Sequence, residues 1–227
     1  MKTETLFHPF GPDHLIVLGI TLAATVLPVI ARRHVTGRID RWIRRVLALG
    51  LLLGGGSGWI VAWLQGYPVV PLNLCDLALL AAVWALVSLQ PRACILVYFW
   101  GLGGSVHALL TPDLTTPFPG FWWFQFFMTH TGIVLSAVYL TATNRVQPTI
   151  RSVVWIWLIT NGYMAIIVFI NWRYGTNFGY LAEKPAHPSL LDYMGPWPYY
   201  LLAIEAIGTL SLLILYAPFA VARRMCR

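Results

Sequence analysis

Long apolar runs, separated by short polar or Pro/Gly-rich stretches, dominate the chain. Seven of them reach the roughly 20 residues that a helix needs to cross a bilayer's hydrocarbon. They cover 13–31, 46–65, 71–89, 93–111, 121–141, 150–171 and 197–221. The pattern predicts an all-α polytopic membrane protein, with residues 1–227 forming a single domain of seven transmembrane helices. No internal repeat, low-complexity tract or soluble domain interrupts it. The N-terminus lacks a basic stretch leading into an apolar core and a small-residue cleavage site, so the first run reads as a retained span.

Composition agrees with this class. Hydrophobic residues make up 58% of the chain and charged residues 10%, against about 25% charged in soluble domains. Lys and Arg outnumber Asp and Glu by 15 to 8, and their placement is informative. Arg32, Arg33, Arg38, Arg41, Arg44 and Arg45 fall in the first connection. Arg92, Arg145, Arg151, Arg223, Arg224 and Arg227 fall in connections or a tail on the same side, whereas Lys2, Arg173 and Lys184 fall on the other. The positive-inside rule then puts the N-terminus outside and the C-terminus in the cytoplasm. The basic charge is a topology and anionic-lipid signal, and no nucleic-acid partner is expected. Cys75, Cys94 and Cys226 form no disulfide framework or zinc spacing. Neither a metal nor a cofactor is expected. Cys94 and Cys226, near the cytoplasmic face, read as packing and tail residues.

Candidate chemistry begins at Pro71-Leu72-Asn73-Leu74-Cys75-Asp76, which opens the third run. Two helix starts compete: Pro71 as the first helical residue, or Asn73 as the N-cap with Asp76 three residues on. Either puts Cys75 near free backbone N–H groups and the positive end of the helix dipole, which favours a nucleophilic thiolate. A carboxylate facing the sulfur would oppose that. A lone Cys in an apolar helix also serves as a small hydrophobe.

The remaining polar residues gather toward the outer ends of the runs. His14 begins the first span, His107 and Thr111 end the fourth, and Asp113 lies just beyond. Gln125 and His130 enter the fifth, His130 about 14 Å down at the rise of a helix. Asn171 ends the sixth, and Glu205 is about 12 Å into the seventh. Asn161 is near mid-membrane, and the inner halves are mostly apolar. Ionisable groups in a membrane face a cavity or each other, so one polar pocket opening toward the outer leaflet is expected. Trp122, Phe126 and His130 share one helix face. His130 fits either an interhelical hydrogen bond or a catalytic base at the end of an acyl-chain path.

Other stretches have structural readings. Thr111-Pro112-Asp113 and the Pro-rich residues after it form a turn, with Asp113 as turn or cap residue. The connection 172–196 is long, as lids and binding loops are. Its aromatics, among them Tyr174, Tyr180, Trp197 and Tyr200, fit a headgroup collar equally well. Gly54-Gly55-Gly56-Ser57-Gly58 and Gly101-Leu102-Gly103-Gly104 suit close helix packing and lack a phosphate-loop Lys.

Taken together, His14, Leu74-Cys75-Asp76, Thr111-Pro112-Asp113, His130 and the stretch from Lys184-Pro185 to Gly195-Pro196-Trp197-Pro198 resemble the YwaF-like bacterial integral membrane proteins. That family is related to a eukaryotic transmembrane acyltransferase that remodels ether phospholipids. More distantly it is similar to androgen-induced membrane hydrolases, which cleave fatty-acid esters with a Thr nucleophile and a His. The resemblance spans nearly the whole chain and implies a bacterial plasma-membrane protein, with Cys75 as nucleophile and His130 as base. Many members have His where this chain has Asn73, and a non-basic residue where it has His107, so His107 is a second candidate base.

The implied activity is an acyltransferase or lipid-ester hydrolase acting on membrane phospholipids or fatty-acyl esters. Such chemistry needs a thiolate, a proton shuttle and oxyanion donors. The amides of the third helix, Asn73 or His107 are candidate donors. Asp113 or Glu205 is a candidate orienter of a histidine, and Asp76, Gln125, Asn171 and His14 are supporting candidates. On depth alone Cys75 lies well above His130. A transporter, a haem protein with paired histidines and a non-enzymatic membrane protein are the competing classes.

Overall fold

The computed structural model describes residues 7–67, 69–185 and 189–225, so Lys2, Cys226 and Arg227 lie outside the described residues. These residues are all-α, without strands. We label the helices α1 (Pro12–Ala31), α2 (Gly37–Leu64), α3 (Leu74–Ser88), α4 (Pro91–Leu110), α5 (Phe121–Ala142), α6 (Ile150–Tyr174) and α7 (Tyr199–Met225). Five have both the length and the apolar character to cross a membrane: α1 with the turn that extends it to His34, then α2, α4, α6 and α7. The other two depart from this for physical reasons. Helix α3 is apolar but has only 15 residues. Helix α5 has 22 residues, with Trp122, Trp123, Gln125, Thr129, His130 and Thr131 among them. Large aliphatic side chains stand exposed, including Ile30 at 72% and Leu202 at 70%, which suits hydrocarbon rather than water.

The chain divides into two compact units: residues up to 71 with 75–146, and 72–74 with 147–227. In the first, α2 begins nine residues before the expected span. Its opening turns carry the Asp40–Arg44 ion pair at i,i+4 spacing, with Nε to Oδ2 at 3.0 Å. The expected basic connection is therefore mostly helix, preceded by a short 3₁₀ turn at Arg32–His34. Helix α3 begins at Leu74, so Asn73 immediately precedes the first turn and Pro71 lies outside it.

The small residues of α2 serve two neighbours. A methyl group at Gly55 would overlap the Leu79 side chain of α3. One at Gly58 would lie 2.8 Å from Nε2 of Gln125 on α5, and Gly132 of α5 in turn receives Leu51. Helix α4 runs back against α5, with Gly101 meeting Ile133 and Ala137. It contains a π turn at Gly101–Ser105. Helix α1 is joined to α5 by a 2.8 Å hydrogen bond between the Thr21 and Thr131 hydroxyls. At the opposite end from Gln125, Asp40 accepts from the Tyr139 hydroxyl at 2.7 Å, and Arg44 donates to the Leu86 carbonyl. That cluster ties α2, α3 and α5 together.

The second unit pairs α6 with α7. Thr149 and Ser152 form a capping box at the start of α6, and Gly175, at φ 65°, ends it. Trp157 Nε1 donates to Thr209 Oγ1 at 3.2 Å, and Arg223 donates to the Pro148 carbonyl. The long connection is held down rather than loose. Asn171 Oδ1 accepts from the Phe178 N–H and the Thr176 hydroxyl, both at 2.9 Å, and the Tyr200 hydroxyl donates to the Tyr180 carbonyl at 2.5 Å.

Gly58→Leu is expected to push α5 off α2 and to cost about 1–3 kcal/mol, the scale of overpacking. Gly56→Leu meets open space and should leave stability nearly unchanged. Thermal unfolding of both variants in detergent measures the difference.

Candidate functional site

The first unit holds Cys75, Asp76, His107, Asp113, Gln125, His130 and His14, and the second holds Asn73, Asn171 and Glu205. Cys75 is half-buried in the first turn of α3. Its helix begins at Leu74, so the first-turn N–H groups around Cys75 have no partner within the helix. Asp76 Oδ1 accepts from the Trp59 indole at 3.2 Å. Trp59 follows Gly58, the residue against which Gln125 packs. Helix α2 thus sets Cys75–Asp76 and Gln125 at one level on its two sides.

His130 lies deeper. Asp76 sits at Trp59, while Thr129 lies beside Gly54. These levels are five residues, or about 7.5 Å, apart along α2. Among the described residues no hydrogen bond joins His130 to Cys75. Two features move the imidazole back toward the level of the thiol. Its Nδ1 donates to the Phe126 carbonyl at 2.8 Å, and its ring lies 4.2 Å from that of Phe126. Both draw the ring one turn toward the N-terminus of α5, the direction in which helical side chains lean. Because Nδ1 carries the proton, Nε2 presents a lone pair. His130 is 6% exposed.

Gln125, Thr129 and Gly132 face α2, so His130, a further 100° around the helix, faces α4. There the sequence reading missed Ser105. It ends the π turn, is 2% exposed, and its hydroxyl has no hydrogen-bond partner. Gly101 meets Ile133 and Ala137, and Leu109 clusters with Trp123 and Phe127. Ser105 lies midway between these contacts, which puts it at the level of His130. The Gly-rich stretch before it was the available signal, though it spoke only for packing. π turns of this kind recur at functional sites.

The other candidates have fixed structural partners or lie in the open. His14 is fully buried, accepts the Phe10 N–H on Nδ1 at 2.8 Å and donates from Nε2 to the Leu109 carbonyl at 2.8 Å. Both ring nitrogens are in use, and the side chain fastens the start of α1 to the end of α4. His107 is exposed, with Nδ1 donating to the Gly103 carbonyl at 2.8 Å. Asp113 is exposed in the turn after α4. In the second unit, Asn73 Oδ1 accepts the Gly179 N–H at 3.1 Å. Asn171 is buried and brackets the turn at 176–178 through both ends of its amide. Glu205 Oε1 accepts from Asn161 at 3.1 Å and Thr209 at 3.4 Å, a polar link between α6 and α7. Among the described residues no three His, Cys, Asp or Glu side chains converge as metal ligands.

Comparison with known proteins gives the chain its kinship. An uncharacterized protein of Treponema pallidum (strain Nichols) is 28% identical over 181 residues, which cover 76% of this chain and 70% of that protein. No solved structure matches significantly. A profile of the TMEM164 family matches residues 9–216. With apolar helices long enough to span a bilayer, this integral membrane protein belongs to the TMEM164 family.

Proposed function

We propose that the protein is a membrane acyltransferase or lipid-ester hydrolase using Cys75 as nucleophile and His130 as base. We also propose that it works as one seven-span domain with its N-terminus outside, and that it is kin to the YwaF-like bacterial membrane proteins. The observation that carries the enzymatic reading is the hydrogen bond of His130. An imidazole stitching helices together would donate to a neighbouring helix. This one donates to its own helix, at Phe126, which leaves Nε2 as the lone-pair nitrogen of the neutral ring. That is the state a general base needs before the reaction.

In this reading the Cys75 sulfur attacks the carbonyl carbon of an acyl ester as its proton passes to Nε2 of His130. The carbonyl oxygen takes negative charge, which the amides at the start of α3 stabilise. Collapse breaks the ester C–O bond, and His130 returns the proton to the departing alcohol. The acyl chain is then held on Cys75 as a thioester. An acceptor hydroxyl, from a second lipid or from water, loses its proton to His130 and attacks the thioester. The C–S bond breaks and the thiol is restored. Trp59 holds the Asp76 carboxylate on the α2 side, and Gln125 borders the same level. The apolar cluster of Trp123, Phe127, Leu109 and Val134, with Phe126 and Val106 packed against it, offers acyl-chain surroundings beside His130. The nucleophile's position at the start of α3 suits lipid entering from the outer leaflet.

Intact mass of detergent-purified protein after incubation with mixed phospholipids tests this. Wild type is expected to carry a fatty-acyl adduct that neutral hydroxylamine removes, and Cys75→Ala none. His130→Ala should lose most of the turnover, in the range of 10²–10⁴-fold for a missing general base. An adduct that survives in Cys75→Ala, or an unmodified wild type with an unreactive Cys75, ends the thioester mechanism. His14→Leu serves as the contrast: it removes two buried hydrogen bonds and should cost about 1–3 kcal/mol in thermal unfolding, while any folded fraction still acylates.

A further inference from the structure

A cavity of about 340 Å³ lies where α2 begins and α5 ends, at the far end of the first unit from Cys75. Its volume is within the about 300–1,000 Å³ of small-molecule sites. Arg32, Arg33 and Arg145 line it, together with Asp40, Thr143 and Asn144. The single carboxylate does not use up these arginines. Asp40 already receives Arg44 Nε at 3.0 Å on Oδ2 and the Tyr139 hydroxyl at 2.7 Å on Oδ1. Arg145 reaches the same Oδ2 only at 3.5 Å through Nη2, and its Nη1 is buried without a partner. A buried, unpaired guanidinium N–H is costly unless something else accepts it. Arg32 and Arg33 stand exposed and take part in no ion pair among the described residues. Gly37, the first residue of the 28-residue helix α2, also lines the cavity, and the Thr36 side chain caps none of that helix's N–H groups. Amide donors and the positive end of the dipole therefore join the guanidinium groups.

We propose that this cavity binds a phosphate group, held between Arg145 inside and Arg32 and Arg33 at its mouth. Guanidinium donors match phosphate oxygens in pairs, and Arg145, with a third of its side chain exposed, is engaged by Asp40 only at 3.5 Å. The phosphate belongs either to an anionic phospholipid headgroup or to a free phosphate ion. The chemistry of recognition is the same for both.

The experiment uses the full chain in detergent and two double variants. Arg32→Gln/Arg33→Gln removes charge from the cavity, and Arg38→Gln/Arg41→Gln removes the same charge from the neighbouring turns outside it. Native mass spectrometry after incubation with equal amounts of phosphatidylglycerol and phosphatidylcholine reads lipid retention. Melting temperature in sodium phosphate, against sodium chloride at matched ionic strength, reads free phosphate. A preference for phosphatidylglycerol of about 30-fold, the scale of two arginines at a lipid surface, lost in the first variant and kept in the second, assigns a lipid headgroup. A phosphate-specific rise in melting temperature, absent only from the first variant, assigns the free ion. Absence of both effects in wild type, or their equal loss or survival in the two variants, overturns the proposal. Because Arg145 and Asp40 are untouched, the ion-pair cluster remains to hold the fold.

Discussion

Close approach along one stretch of α2 is the constraint on which the first unit depends. Between helices in hydrocarbon there is no hydrophobic gain from contact, because lipid is as apolar as a leucine surface. Contact must be won from dispersion and hydrogen bonds, and both fall off steeply with distance. Small residues bring the partners near enough. Gly55 admits Leu79 of α3, and Gly58 admits Gln125 of α5. Once those approaches are made, Trp59 can reach Asp76. The level of the candidate nucleophile is therefore set by glycines on a helix that carries no candidate catalytic group itself.

The polar side chains sort by what their hydrogen bonds accomplish. His14, Asn171 and Glu205 each join separate segments. These are the bonds that hydrocarbon makes worth keeping, since a polar group left unpaired has no water to turn to. His130 and His107 each bond a carbonyl four residues back in their own helix. Such a bond fixes a tautomer and a rotamer but ties nothing together. Of these two, only His130 is buried, which makes it the histidine whose free nitrogen has been shaped by its surroundings.

The helices were legible because apolar run length is a direct physical requirement. The limits of each run were less so. Arg44 falls in the basic first connection by sequence, yet its i,i+4 spacing from Asp40 makes the two helical neighbours and extends α2 backward. The short turn between α3 and α4, with Leu89 at φ 55° and Pro91 opening the next helix, had only its proline as a signal. The depth difference between Cys75 and His130 was readable from rise per residue. The lean of the imidazole toward Phe126 was not, because rotamers depend on packing. Ser105 was hidden for a similar reason: a π turn is a local change in hydrogen-bond register that Gly-rich composition permits but does not announce. The partners of Asp40 are 99 and 105 residues away at Tyr139 and Arg145, beyond any local pattern.

The two ends of the first unit are built from different forces, and that bears on how it can work. One end is closed by a buried carboxylate, two guanidinium groups and a phenol, with Arg44 also reaching the Leu86 carbonyl of α3. Removing Asp40 would leave the buried Arg44 guanidinium without its counter-charge, commonly a loss of 3–5 kcal/mol, so helices α2, α3 and α5 are firmly joined there. At the Cys75 end the helices meet through the Trp59 indole, which donates to Asp76 at 3.2 Å, and through the close approach of Gly58 to Gln125. A 3.2 Å hydrogen bond is weaker than the 2.7 and 3.0 Å bonds of the cluster opposite. The clamp keeps α2, α3 and α5 in register, and the close approaches at Gly55 and Gly58 set the spacing at the other end.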